Sequence, residues 1–159
     1  WFAKDKDKCK YHKLFTNKEI GDGTLFTYVE ESDGTRRSMT SEEKRVYLLL
    51  KAVIFHYHGL DEQEKIDLDA AAARLEAPEE LKWAIEFIEK DHVTSFERAR
   101  AFLNDIIGDY PRDKRVGLIH MVWESNNLKG YVTEMEATAM IRLARDWNVE
   151  QELVDLVLK

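Results

Sequence analysis

Thr40-Ser41-Glu42-Glu43-Lys44-Arg45-Val46-Tyr47-Leu48-Leu49-Leu50-Lys51-Ala52-Val53-Ile54-Phe55-His56-Tyr57 is the stretch on which the fold turns. Thr40 and Glu43 stand three apart, the spacing of a capping box, in which each side chain satisfies the other residue's backbone N–H. Val46, Leu49, Leu50, Val53, Ile54 and Tyr57 then recur at i, i+3, i+4, i+7, i+8 and i+11. That period predicts one amphipathic helix with a continuous apolar stripe. Gly59 stops it. No period-2 alternation follows, so the class expected is all-α.

Downstream, the same punctuation recurs. Asp61-Glu62-Gln63-Glu64 repeats the cap pattern, and Asp69-Ala70-Ala71-Ala72-Ala73 favours helix strongly. Pro78 opens a further helix carrying Leu81, Ala84, Ile85 and Ile88. Thr94-Ser95 opens another, with Phe96, Ala99, Leu103, Ile106 and Ile107, ended by Gly108 and Pro111.

Lys114-Arg115-Val116 then restarts what Lys44-Arg45-Val46 began. Val46, Leu49, Leu50 and Val53 align with Val116, Ile119, His120 and Trp123. Ala72, Leu75 and Leu81 align with Ala144, Trp147 and Leu153. Two copies are too few for a solenoid. They predict a pseudo-symmetric bundle, with residues 95–108 as the bridge.

Upstream, the character changes. Thr24-Leu25-Phe26-Thr27-Tyr28-Val29 is β-branched and aromatic, and Ser32-Asp33-Gly34 is a turn signal. A short strand or hairpin is expected there, and it must pack on something. Residues 1–18 hold six lysines against Asp5 and Asp7, a charge of +4, which leaves −11 on the rest. The organisation expected is a basic N-terminal arm with a short hairpin over residues 1–39 and a helical domain over 40–159.

Composition excludes several classes. The 159 residues are 44% hydrophobic and 35% charged, with a net charge of −7, which suits a folded protein whose body repels nucleic acid. A single cysteine, Cys9, rules out an internal disulfide and suits a reducing compartment. Lys51 interrupts the longest apolar run, far short of the ~20 residues a bilayer needs. The chain opens on Trp1 rather than Met, so residues upstream are expected.

Gly59-Leu60-Asp61-Glu62-Gln63-Glu64 and Gly130-Tyr131-Val132-Thr133-Glu134-Met135-Glu136 each follow an apolar helix and precede an amphipathic one. In this layout, residues 40–159 resemble the tellurite-resistance TerB family, a compact all-helical domain of two such repeats. His58-Gly59 and Lys129-Gly130 stand where that family carries Asp-Gly. The resemblance implies a non-enzymatic, cytoplasmic stress-response protein that works beside protein partners at the inner membrane.

For chemistry, the acidic helix starts are the strongest signal. Asp61, Glu62, Glu64, Glu134 and Glu136 would hold Ca²⁺ or Mg²⁺ if the fold brought both ends together. First-turn carboxylates also cap orphan N–H groups and favour the helix dipole, which is the weightier reading. No other cofactor is expected. His56 and His58 are expected to be satisfied or solvent-facing, and His120, on an apolar stripe, to be buried and hydrogen-bonded. Trp83, Trp123 and Trp147 read as core or interface anchors. Phosphate loops, His-Glu-x-x-His and Gly-x-Ser-x-Gly are absent from the sequence. Cys9 sits among lysines near His12 on an arm without an enclosing pocket, so nucleophilic catalysis is not expected. The function expected is a protein-interaction module, with a divalent-cation sensor as the alternative. The basic arm beside Trp1 and Phe2 reads first as a solvated terminus, and as the alternative it touches an acidic partner or an anionic bilayer, at about 1 kcal/mol per lysine.

Overall fold

A computed structural model describes residues 28–30, 33–57 and 59–158. Among them, two short strands pair antiparallel and seven α-helices follow. Strand β1 (Tyr28–Glu30) pairs with β2 (Arg36–Ser38) in the register Tyr28 to Ser38. Asp33 closes the turn by accepting from both the N–H and the hydroxyl of Thr35, with Gly34 at φ +82°. The hairpin does pack on something, since Arg37 of β2 reaches Glu43 and Met39 sits against the core.

The helices are α1 (Ser41–His56), α2 (Glu62–Arg74), α3 (Pro78–Glu89) and α4 (Ser95–Ile107), then α5 (Arg112–Asn126), α6 (Glu134–Asp146) and α7 (Glu150–Val157). A 3-10 turn, Asn127–Lys129, leaves α5, and Gly130 closes it at φ +74°. Capping boxes start α1, α2 and α6, at Thr40/Glu43, Asp61/Glu64 and Thr133/Glu136. Both α2 and α6 end in the same turn. Glu76 and Asn148 take left-handed backbone (φ +50° and +54°), while Ala77 N–H donates to Ala72 O and Val149 N–H to Ala144 O. That is the six-to-one bond of a Schellman motif, with the apolar Ala77 and Val149 fully buried beneath it.

Helix α1 departs from the single stripe expected of it. Every residue from Val46 to Phe55 is buried, Tyr47, Leu48 and Ala52 included. Helices α2, α3, α4 and α5 all pack on it, so it forms the axis of the bundle. An aromatic cluster of Trp83, Phe87 and Phe102, with ring centroids 5.6–5.9 Å apart, joins α3 to α4. Tyr57 and Phe96, 4.7 Å apart, join the end of α1 to the start of α4.

Ion pairs tie distant segments together. Glu43, beyond its capping role, accepts both guanidinium nitrogens of Arg37 (2.7 and 2.9 Å) and the ammonium of Lys114, and so joins β2, α1 and α5. Asp146 of α6 accepts from Arg100 and Asn104 of α4, and Asn104 in turn accepts the indole N–H of Trp147. Arg112 of α5 reaches Glu152 of α7 and the Asn148 carbonyl. Burial, reinforced by Glu43, pushes the nearby Tyr110 phenol up to about 12.

The Arg37 guanidinium, helped by Lys114 and the Thr40 N–H against the opposing effect of burial, holds the Glu43 carboxyl well below its ordinary 4.5. A depressed folded-state pKa means that the unfolded chain takes up the proton first as pH falls. The stabilisation is therefore complete above about pH 5 and is still being lost as the pH falls through about 3. Glu43→Gln keeps a capping-box side chain but removes the charge. The variant should be less stable at pH 7, and its denaturation midpoint should fall less than the wild type's between those two pH values.

Candidate functional site

The acidic helix starts are occupied by capping. Asp61 accepts the Glu64 N–H at 2.8 Å and Glu64 accepts the Asp61 N–H at 3.0 Å. Thr133 and Glu136 do the same at 3.3 and 2.7 Å. Glu64 and Glu136 are buried, at 1% and 2% exposure, whereas Glu62 and Glu134 face solvent. Among the described residues no three His, Cys, Asp or Glu side chains gather as a metal would require. Asp61, Glu62, Glu64, Glu134 and Glu136 are thus not brought into one ligand set.

His56 is half-buried, and its Nδ1 lies 2.9 Å from the Ala52 carbonyl, which can only accept, so this nitrogen carries the proton. His58 and Cys9 lie outside the described residues, as does the basic N-terminal arm. His120 corrects the expectation of burial, because its side chain is exposed. Counted from the matched helix starts Ser41 and Arg112, His120 stands opposite Leu49 rather than Leu50. The α1 position is enclosed on all sides, but α5 has a solvent face there. Trp147 is buried at 1% exposure, while Trp83 and Trp123 are half-buried.

Lys51 is a buried charge that periodicity did not single out. Its ammonium pairs with Asp67 of α2 at 2.5 Å, donates to Ser125 of α5 at 3.1 Å and lies over the Phe55 ring. Burial pushes it below 10.5, and the Asp67 carboxylate opposes that. It works as a pin between three helices.

A concave surface with a pronounced apolar bias lies between α6 and α7. It is a groove of about 430 Å3, with Met140 and Leu153 at its base and Trp123 and Val132 at one end. Ile141, Val154 and Leu158 stand in its walls, at 49%, 47% and 79% exposure. Glu134 is the ionisable residue in the lining.

A counterpart of about 720 Å3 lies between α2 and α3. Counting from the matched caps Asp61 and Thr133, the apolar positions agree in part: Leu81 stands opposite Leu153, and Ile85 opposite Val157, which is 52% exposed. The walls do not. Where the first groove has Asp69, Lys82 and Glu86, the second has Ile141, Val154 and Leu158. Sequence periodicity singled out none of the three exchanged pairs, although the alignment of Leu81 with Leu153 sets Lys82 opposite Val154 and Glu86 opposite Leu158.

Comparison with protein-family models, with curated proteins and with solved structures finds no match.

Replacing Asp61 or Thr133 by Ala should lower stability by about 0.5–2 kcal/mol through loss of a helix cap. Calcium should leave the wild-type melting temperature unchanged, as followed by thermal denaturation with and without the ion. A rise with calcium that D61A abolishes would return these carboxylates to the metal reading.

Proposed function

We propose that the chain is a non-catalytic protein-interaction module whose docking face is the α6–α7 groove. Its helical part is best understood as two pseudo-symmetric units, α1–α2–α3 and α5–α6–α7, bridged by α4, an arrangement that resembles the TerB family. Several features support that reading. The helix order is the same on both sides of α4, capping boxes stand at Asp61 and Thr133, and the left-handed turns at Glu76 and Asn148 correspond. In keeping with the resemblance, the module is placed in the cytoplasm beside a membrane-associated partner. Among the described residues no helix is long and apolar enough to cross a membrane.

The observation that carries the docking face is the replacement of Asp69, Lys82 and Glu86 by Ile141, Val154 and Leu158 on an equivalent surface. A water-facing helix pair gains nothing from apolar walls. A contiguous apolar patch beside a polar rim is the mark of a surface that another molecule covers. Nothing in the geometry favours the cation-sensor alternative over this one.

Photo-crosslinking residues placed at Ile141 and at Ile66 test the proposal in cells that make the protein. Ile66 is comparably exposed, at 58%, but lies on α2 outside the first groove's lining. Adducts to one discrete protein are expected from position 141 and not from 66, and Val154→Glu should abolish them without lowering the melting temperature. Equal labelling from both positions would remove the groove as a docking face.

A further inference from the structure

We propose that, in the absence of a partner, the α6–α7 groove is covered by the chain's own N-terminal segment, residues 1–18, acting in cis. This rests on the groove being a docking face and names its resident occupant.

Charge on the groove's elements points to a cationic occupant. Arg142 and Arg145, the cations of α6, are each held by an acid, Glu97 at 2.9 Å and Glu150 at 3.0 Å. Glu134, in the lining, has no such cation among the described residues. The groove is therefore apolar, with one acid, Glu134, in its lining.

Residues 1–18 offer the complementary chemistry. They carry six lysines and a charge of +4, in a chain that is otherwise acidic. Tyr11, Leu14 and Phe15 fall at i, i+3 and i+4, with Lys13 between them and Lys10 and Lys18 on either side. That is the spacing with which an amphipathic segment fills a hydrophobic groove. Trp1 and Phe2 add two further aromatic anchors.

Reach permits it. Tyr28 pairs with Ser38 beside Arg37, and Arg37 shares Glu43 with Lys114 near the start of α5. From Lys114 to Trp123 along α5 is about 14 Å, at 1.5 Å per residue. The ten residues from Lys18 to Tyr28 span up to about 33 Å when extended, at ~3.3 Å each. Tethering also supplies an effective concentration on the order of millimolar, so weak contacts suffice.

Cys9 is the sole cysteine, so a nitroxide attached there reports where the arm lies in the full chain. Methyl resonances of Ile141, Val154 and Val157 should lose most of their intensity, with Ile66 spared. Salt raised from about 0.05 to about 0.5 M should restore much of it, because screening shortens the reach of the lysines. Val154→Lys should relieve the broadening at Val157, because it sets a like charge against the lysines of the arm. In a mixture of spin-labelled, isotope-free chains with isotope-labelled, spin-free chains, the broadening should vanish. Broadening that persists in the mixture assigns the groove to a second copy and overturns the cis proposal. Broadening spread evenly over the surface overturns it too, as does broadening absent in buffer with the nitroxide immobilised only on anionic vesicles. If those methyls stay sharp while crosslinks still form at position 141, the arm is excluded and the docking face survives. Loss of both ends both readings.

Discussion

A helix without a wet face governs this molecule. From Val46 to Phe55 α1 is buried throughout, so a shell of other helices has to close around it for the chain to fold at all. Lys51, in the middle of that run, makes the demand sharper. An ammonium at 6% exposure is tolerable only beside an anion, and Asp67 has to be on α2 at the right height to supply one. Ser125 then fixes α5 from the other side. Packing around α1 is generic, since hydrocarbon accepts many arrangements. The Lys51 contacts select among them, because a shifted α2 or α5 would leave a charge buried alone.

Much of this was legible beforehand, for a local reason. Caps, Pro78 and the turn glycines act within a few residues, and the cap at Thr133, like the glycines at 59 and 130, takes the role its spacing announced. What escaped depends on neighbours. Periodicity shows which face of α1 is apolar in the mean. It cannot show that Tyr47, Leu48 and Ala52 on the other faces also meet protein. His120 failed for the converse reason, because α5 lacks cover where α1 has it. The acidic helix starts were read as either caps or ligands, and sequence spacing is the same for both. Only the distance between α2 and α6 could separate them.

The two grooves illustrate how one backbone plan yields surfaces of different character. Leu81 and Leu153 are held in common because both seal their helix pair against the core. Asp69, Lys82 and Glu86 project past that seal, so their replacement alters what the surface attracts while leaving the helix pair intact. Such positions carry little structural duty and are free to change.

The burial of α1 also has a consequence for the order in which the chain is made. Its most fully buried helix, residues 41–56, leaves the ribosome well before α5, residues 112–126, which covers one of its flanks. Roughly 60 residues of further synthesis separate them, on the order of 3–12 s at ~5–20 residues per second. Through that interval α2, α3 and α4 cover α1 incompletely, and Lys51 lacks its contact with Ser125. A nascent chain in this state presents the kind of surface that molecular chaperones bind, so the last helices to be made determine when it is safe to release.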